Sequence, residues 1–409
     1  MLPPRRAGYN RLMSTSRPFA LASLAAFFLL HAVAARAEVL RVPQGHATID
    51  GAIAAAATGD TIRVAAGVYP SALIVRHSLV LEGGWDAASS SRGAPGNETV
   101  LDGTSTGRPV VTVQAEAGVE VVLDGFTIRN GWLVEGNGGG VLVMGGAHAI
   151  LRNNVIRDNY ARYHGGGVCF FDGSSGRLEG NTFLNNSTVF HGGALCLLSR
   201  VRVEAIGNLF ARNRAIFDSG AGIAALKQCV LTAVGNRFEE NFAMKRGAAV
   251  SMLDHVDGTV ARNVIVSNDC GYMGGAIYSW KSVSHIEENT LVRNFGPSTG
   301  GIRVDDTGSA TVRRNLLVRN AGPWLLDEGK SPLEIEGNVL HATGAAPGPL
   351  GAPAVRGARF EDPLLCDEET DQRLQPGSPL LGRGRTGCYE ARCGEEPARG
   401  EPPLRREAP

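Results

Sequence analysis

The chain is 409 residues long and balances 40 Lys and Arg against 40 Asp and Glu, which leaves no electrostatic footprint for a dedicated nucleic-acid binder. Its 54 glycines follow no G-X-Y period, so collagen is excluded. Few aromatics and many short runs of Val, Ile, Leu and Asn suit brief strands joined by tight turns.

Residues 1–37 read as a secretory signal. Arg5, Arg6, Arg11 and Arg17 lead into the apolar run FALASLAAFFLLHAVAA, and Ala35-Arg36-Ala37 offers a small-residue cleavage site. The expected mature chain begins at Glu38 and is secreted or otherwise extracytoplasmic, in the periplasm or at the cell surface. No later segment is apolar enough for a transmembrane helix, and a monomer is expected. HATIDGAIAAAATGD then predicts a short amphipathic helix with Ile49, Ala52, Ile53 and Ala56 on one face.

Beyond it the chain repeats. Asn-x-apolar-x-x-Asn begins at Asn154, Asn181, Asn208, Asn236, Asn263, Asn289 and Asn315, in steps of 27, 27, 28, 27, 26 and 26 residues. A second lane of Gly and Ala before an apolar strand interleaves with it, from GGGVLV at Gly138 to TGGIRV at Thr299. The unit is too short for a propeller blade and lacks α-solenoid spacing, and its apolar positions alternate as strands do. The expected fold is all-β, a single-stranded right-handed parallel β-helix of about 27 residues per coil, three strands to the coil, with the short helix as its N-terminal cap. Equal periods stack the asparagines, so their amides can bond along the stack, and Gly and Asn tolerate the left-handed backbone of sharp corners. The β-helix is placed at 38–342, a linker and C-terminal capping segment at 343–393, and a charged disordered tail at 394–409.

Seven cysteines in an exported chain permit disulfides. Cys366, Cys388 and Cys393 cluster around the closing RLQPGSPLL segment, where one bridge could tie down the cap. Cys169 and Cys196 share a lane, but parallel side chains there favour two free thiols. No cysteine pair has zinc-site spacing, and no metal site is expected.

The segments GDTIRVAAGVY, DGFTIRNG and DPLL…RLQPGSPLLGRG resemble bacterial right-handed β-helix repeat proteins of the pectate-lyase-like superfamily. The alternation of GGA-apolar with F-x-x-N is similar to the repeat of chlamydial polymorphic outer-membrane proteins. The resemblance spans roughly 38–384. It implies a polysaccharide groove on the strand faces, Ca2+ held by clustered carboxylates with an Arg base if the protein is a lyase, or three Asp with His and Arg if it is a polygalacturonase-like hydrolase.

Arg303, Asp305 and Asp306 place a guanidinium and two carboxylates on one strand and its corner, and are the candidate catalytic groups. Aligning GGAIYSW with TGGIRVDD turns Ile277, Ser279, Ile302 and Val304 inward. Tyr278, Trp280, Arg303 and Asp305 then point outward as a sugar platform. His164 and His191, 27 residues apart, should stack on adjacent coils as a further ligand contact. Yet the Asn-Thr-Asp, Gly-His-Gly and Arg-Ile-Lys signatures of the hydrolases are absent. The favoured function is therefore a non-catalytic surface that binds polysaccharide, cell-surface glycan or a partner protein. The alternative is a secreted lyase or hydrolase acting on acidic glycans.

Overall fold

The computed structural model of the protein describes residues 37–306, 308–327 and 332–341, and further on 358–360, 363, 365–367, 371–375 and 378. The segments expected to be a signal, a linker and a tail lie wholly or mostly outside them, as do Cys388, Cys393 and the side chain of Cys366.

The chain is an all-β parallel solenoid of about nine coils at roughly 27 residues per turn. One central coil shows the plan. Ser175–Glu179 lies in sheet I, Thr182–Leu184 in sheet II, Ser187–Thr188 in sheet III and Leu195–Leu198 in sheet IV. Among the described residues the sheets contain 12, 12, 6 and 10 strands respectively, each strand bonded to its counterparts one coil away. The central coils thus have a fourth strand where three were expected. It is only two residues long, too short to show alternation in a sequence.

The inward positions form one continuous core running from the capping helix to Leu340. Phe183, Phe210 and Phe238 stack inside it with ring centroids 4.7 and 4.8 Å apart, the parallel strand spacing. At the N-terminal end, Thr48 caps the helix Ile49–Ala55 by accepting the Gly51 N–H at 3.0 Å. The helix buries Ile49, Ala52 and Ile53 against the first coils, where bare core would otherwise face water. Among the described residues no helix is long and apolar enough to cross a membrane.

Two buried asparagine ladders hold the corners on either side of sheet II. Asn208 Oδ1 accepts the backbone N–H of Asn181 at 2.9 Å and its side-chain amide at 3.0 Å, while Asn208 Nδ2 donates back to Leu178 O. The same pattern runs from Asn154 through Asn181, Asn208, Asn236, Asn263, Asn289 and Asn315 to Asn338. A second ladder runs from Asn159 to Asn320. The ladder asparagines do not take the left-handed conformation themselves. The residue before each does, whether Asn153, Gly180 or even Arg262, with φ of 55°, 64° and 56°.

After the last coils Ala358–Phe360 extends sheet II, and Leu365–Asp367 pairs antiparallel with Asp371–Leu374. Leu365, in the segment expected to cap the C-terminal end, packs on the outer face of sheet II with Val264, Val266, Val292, Leu316, Val318 and Val339.

Candidate functional site

The alignment of the two candidate strands holds: Ile277 pairs with Ile302, Tyr278 with Arg303, Ser279 with Val304 and Trp280 with Asp305. What lies over them differs from expectation. Tyr278, Arg303 and Asp305 point away from the core, yet they are 1%, 7% and 4% exposed. The corner that enters sheet IV folds back across its outer face, and glycine lets it do so. A Cβ on Gly165, Gly192 or Gly220 would lie 2.6–2.7 Å from Cβ of Cys169, Cys196 or Ala224, and one on Gly247 would lie 3.0 Å from Cβ of Tyr278. The lane read as open surface is therefore a second, thin core of Cys169, Cys196, Leu198, Ala224, Leu226, Leu253 and Tyr278. Cys169, Cys196, Cys229 and Cys270 are buried free thiols.

Within that layer Asp305 Oδ2 accepts from Tyr278 Oη at 2.9 Å and from Arg303 Nε at 2.7 Å. Arg303 Nη1 also donates to Met273 O at 3.0 Å, and the Arg246 guanidinium lies 5.4 Å from the Tyr278 ring centre. Burial, and after it the Asp305 charge, push the Tyr278 hydroxyl well above its usual pKa. A carboxylate neutralised inside a covered layer ties coils together and gives substrate no approach, so the expectation of an open acid–base site here is corrected. Trp280 is half-buried with Lys281 Nζ 4.6 Å from its ring centre. Asp306 is exposed at a left-handed corner, φ 46°. No group of three or more His, Cys, Asp or Glu able to hold a metal occurs among the described residues.

His164 and His191 do come together, with ring centroids 5.4 Å apart and planes 14° from parallel. Burial, then the neighbouring His191 and Lys227, pull His164 down to about 4. Burial lowers His191 too, against the opposing pull of Asp218. An open cleft of about 540 Å³ lies near the N-terminal end, but its Asp124 is already taken by Arg92, Arg152 and Asn153.

The surface feature that the sequence reading missed lies on sheet III and the corner that follows it. Of the eleven exposed large apolar side chains among the described residues, eight are here: Trp132, Val134, Tyr163, Phe190, Phe217, Met244, Tyr272 and Phe295. Trp132 is 60% exposed and stacks on Tyr160 of the next coil at 4.4 Å. Tyr163 stacks on Phe190 at 6.5 Å, and Arg214 lies 5.0 Å from the ring centre of Phe242. Such concentration is unusual for a surface that nothing touches. The signal was present in the sequence, because Tyr163, Phe190 and Phe217 recur every 27 residues and Tyr272 falls two coils further on. It was hidden because the core ring column Phe183, Phe210 and Phe238 has nearly the same period.

Searches of curated proteins and of solved structures gave no match to the chain. The family model for the right handed beta helix region matches residues 111–263, the stretch that carries most of the aromatic row.

Proposed function

We propose that the protein is an exported, non-catalytic binding module that holds a polysaccharide lengthwise along the aromatic row from Trp132 to Tyr272. The observation that carries this reading is the concentration of exposed rings on one side of the coils. Flat apolar faces with polar edges suit the faces of pyranose rings. Successive coils rise by ~4.8 Å, close to the length of one sugar unit in an extended glycan, so ring after ring can meet sugar after sugar. Arg162 and Arg214 are exposed beside the row and supply hydrogen-bond donors to hydroxyl or carboxylate oxygens. The N-terminal signal sequence puts such a surface where glycans are found. The buried state of Arg303 and Asp305 takes support away from the enzymatic alternative.

The test is binding of the full chain to a panel of neutral and uronate polysaccharides, with and without calcium, followed by single ring removals. Phe217→Ala and Tyr272→Ala should each weaken binding about tenfold, equivalent to about 1.4 kcal/mol, and oligosaccharide affinity should grow with length. Affinity unchanged in both variants overturns the reading.

A further inference from the structure

We propose that the stacked imidazoles of His164 and His191 are the positioning element of the aromatic row, and that protonating them releases the glycan from it. This rests on the preceding reading for its ligand, though not for its conformational part.

The pair sits directly under the row. Asn137, His164 and His191 bridge one another at one position on three adjacent coils. Tyr163 and Phe190 are their immediate chain neighbours, and the Phe190 ring lies 6.2 Å from His164 as well as 6.5 Å from Tyr163. Its orientation therefore depends on the imidazole stack beneath it.

The surroundings suit neutral rings only. Nδ1 of His164, Nδ1 of His191 and Oδ1 of Asn137 are buried without a hydrogen-bond partner. Among the described residues, neither Nδ1 has a hydrogen-bond partner that would receive a second ring proton. The charged groups facing the pair are Lys227, Lys245, Arg246 and Asp218. Asp218 is the sole anion among them, 3.7 Å from His191 Nε2, and it is already engaged by Lys245 Nζ at 3.3 Å and Ser219 Oγ at 2.8 Å. A His meant to stay charged would have a carboxylate to itself. Here two imidazolium rings would face each other beside three cations, and separating them removes the support of Phe190. The low pKa of His164 agrees with this geometry.

The experiment uses the full chain with Phe190→Trp as a fluorescent reporter, titrated without ligand from about pH 7 to about pH 4. The same chain without the reporter is titrated calorimetrically with a β-1,4-linked glucose hexamer and a galacturonate hexamer. His164→Phe/His191→Phe keeps stacked rings and removes both protons. The reporter should shift on acidification and stay flat in the double variant. Affinity should fall by up to about tenfold per pH unit for each ring that must be neutral, and this loss should vanish in the double variant. If the double variant does not fold, His164→Phe alone must halve the proton dependence. A silent reporter, or an acid loss equal in wild type and variant, overturns the proposal. A responding reporter with neither hexamer bound upholds the acid response and overturns the glycan reading.

Discussion

Asn236→Ala tests the ladder at its centre. The side chain takes part in four buried hydrogen bonds: Oδ1 accepts from Asn208 N at 2.9 Å and Asn208 Nδ2 at 3.0 Å, and Nδ2 donates to Ala205 O at 2.8 Å and Asn263 Oδ1 at 3.1 Å. Two of the neighbours keep a partner, because Asn208 Nδ2 still reaches Leu178 O and Asn263 Oδ1 still receives Asn236 N. The Asn208 backbone N–H loses its acceptor in a site with no solvent access. At about 0.5–1.5 kcal/mol per bond, with the stranded N–H at the upper end or beyond, the expected loss is about 3 kcal/mol. Asn320, the last member of the second ladder, takes part in three such bonds. Its replacement by Ala should cost about 2 kcal/mol. Urea unfolding followed by circular dichroism measures both, with the m-value checked for constancy. A loss below about 1 kcal/mol at Asn236, or equal losses at the two sites, would refute the idea that stacked amides sustain the corners.

Asp305→Ala should lower stability by about 3 kcal/mol, because it removes the buried carboxylate that accepts from both Arg303 Nε and Tyr278 Oη; an unchanged denaturation midpoint would restore the idea of an open surface carboxylate. Gly166→Ala should cost about 3 kcal/mol, since its Cβ would fall 2.2 Å from Ser187 O. Gly173→Ala has open space around it and only a left-handed φ of 73° to accommodate, so about 1–2 kcal/mol is expected there; reversal of that order in thermal melts would contradict the described packing. For His164 the folded pKa of about 4 lies below the ordinary 6.5, so the unfolded chain binds the proton more readily between those values. Its contribution is complete above about pH 6.5 and is lost as pH falls toward 4, on the order of 2 kcal/mol after allowance for partial exposure. His164→Phe should flatten that part of a stability-versus-pH curve, and an unchanged slope would count against the depressed pKa.

The fold was legible because a period is a long-range signal. Equal spacing from Asn154 to Asn315 forces each residue over its counterpart, and aligning two glycine-led strands was enough to pair Tyr278 with Arg303. Asn338 escaped because it follows Asn315 by 23 residues and lacks the second Asn five positions on. The covering of Tyr278, Arg303 and Asp305 was not legible for a different reason. Alternation tells which side chains leave the core, but not whether a neighbouring corner then lies across them. That depends on a left-handed glycine such as Gly247, φ 53°, redirecting the chain over the adjacent coil. For the exposed rings the difficulty was register, since Phe217 and Phe210 belong to the same coil and differ only in which sheet their segment joins.

The pairing pattern also shows where this chain can change in length. Every ladder Asn pair keeps its spacing of five residues, whereas the corners flanking sheet IV vary. Ser187 pairs with Arg214 and Leu195 with Ile223, so the corner holding Phe217 and Asp218 has gained one residue without displacing either strand. Between Trp280 and Val283 the opposite has happened, one residue being lost relative to the coil before. Insertions and deletions are thus absorbed on one side of the coil, while the asparagine side acts as a fixed spine. Variation in descendants of this sequence, or in engineered loops, has a ready place beside the aromatic row, where the surface can be rewritten without resetting the stack.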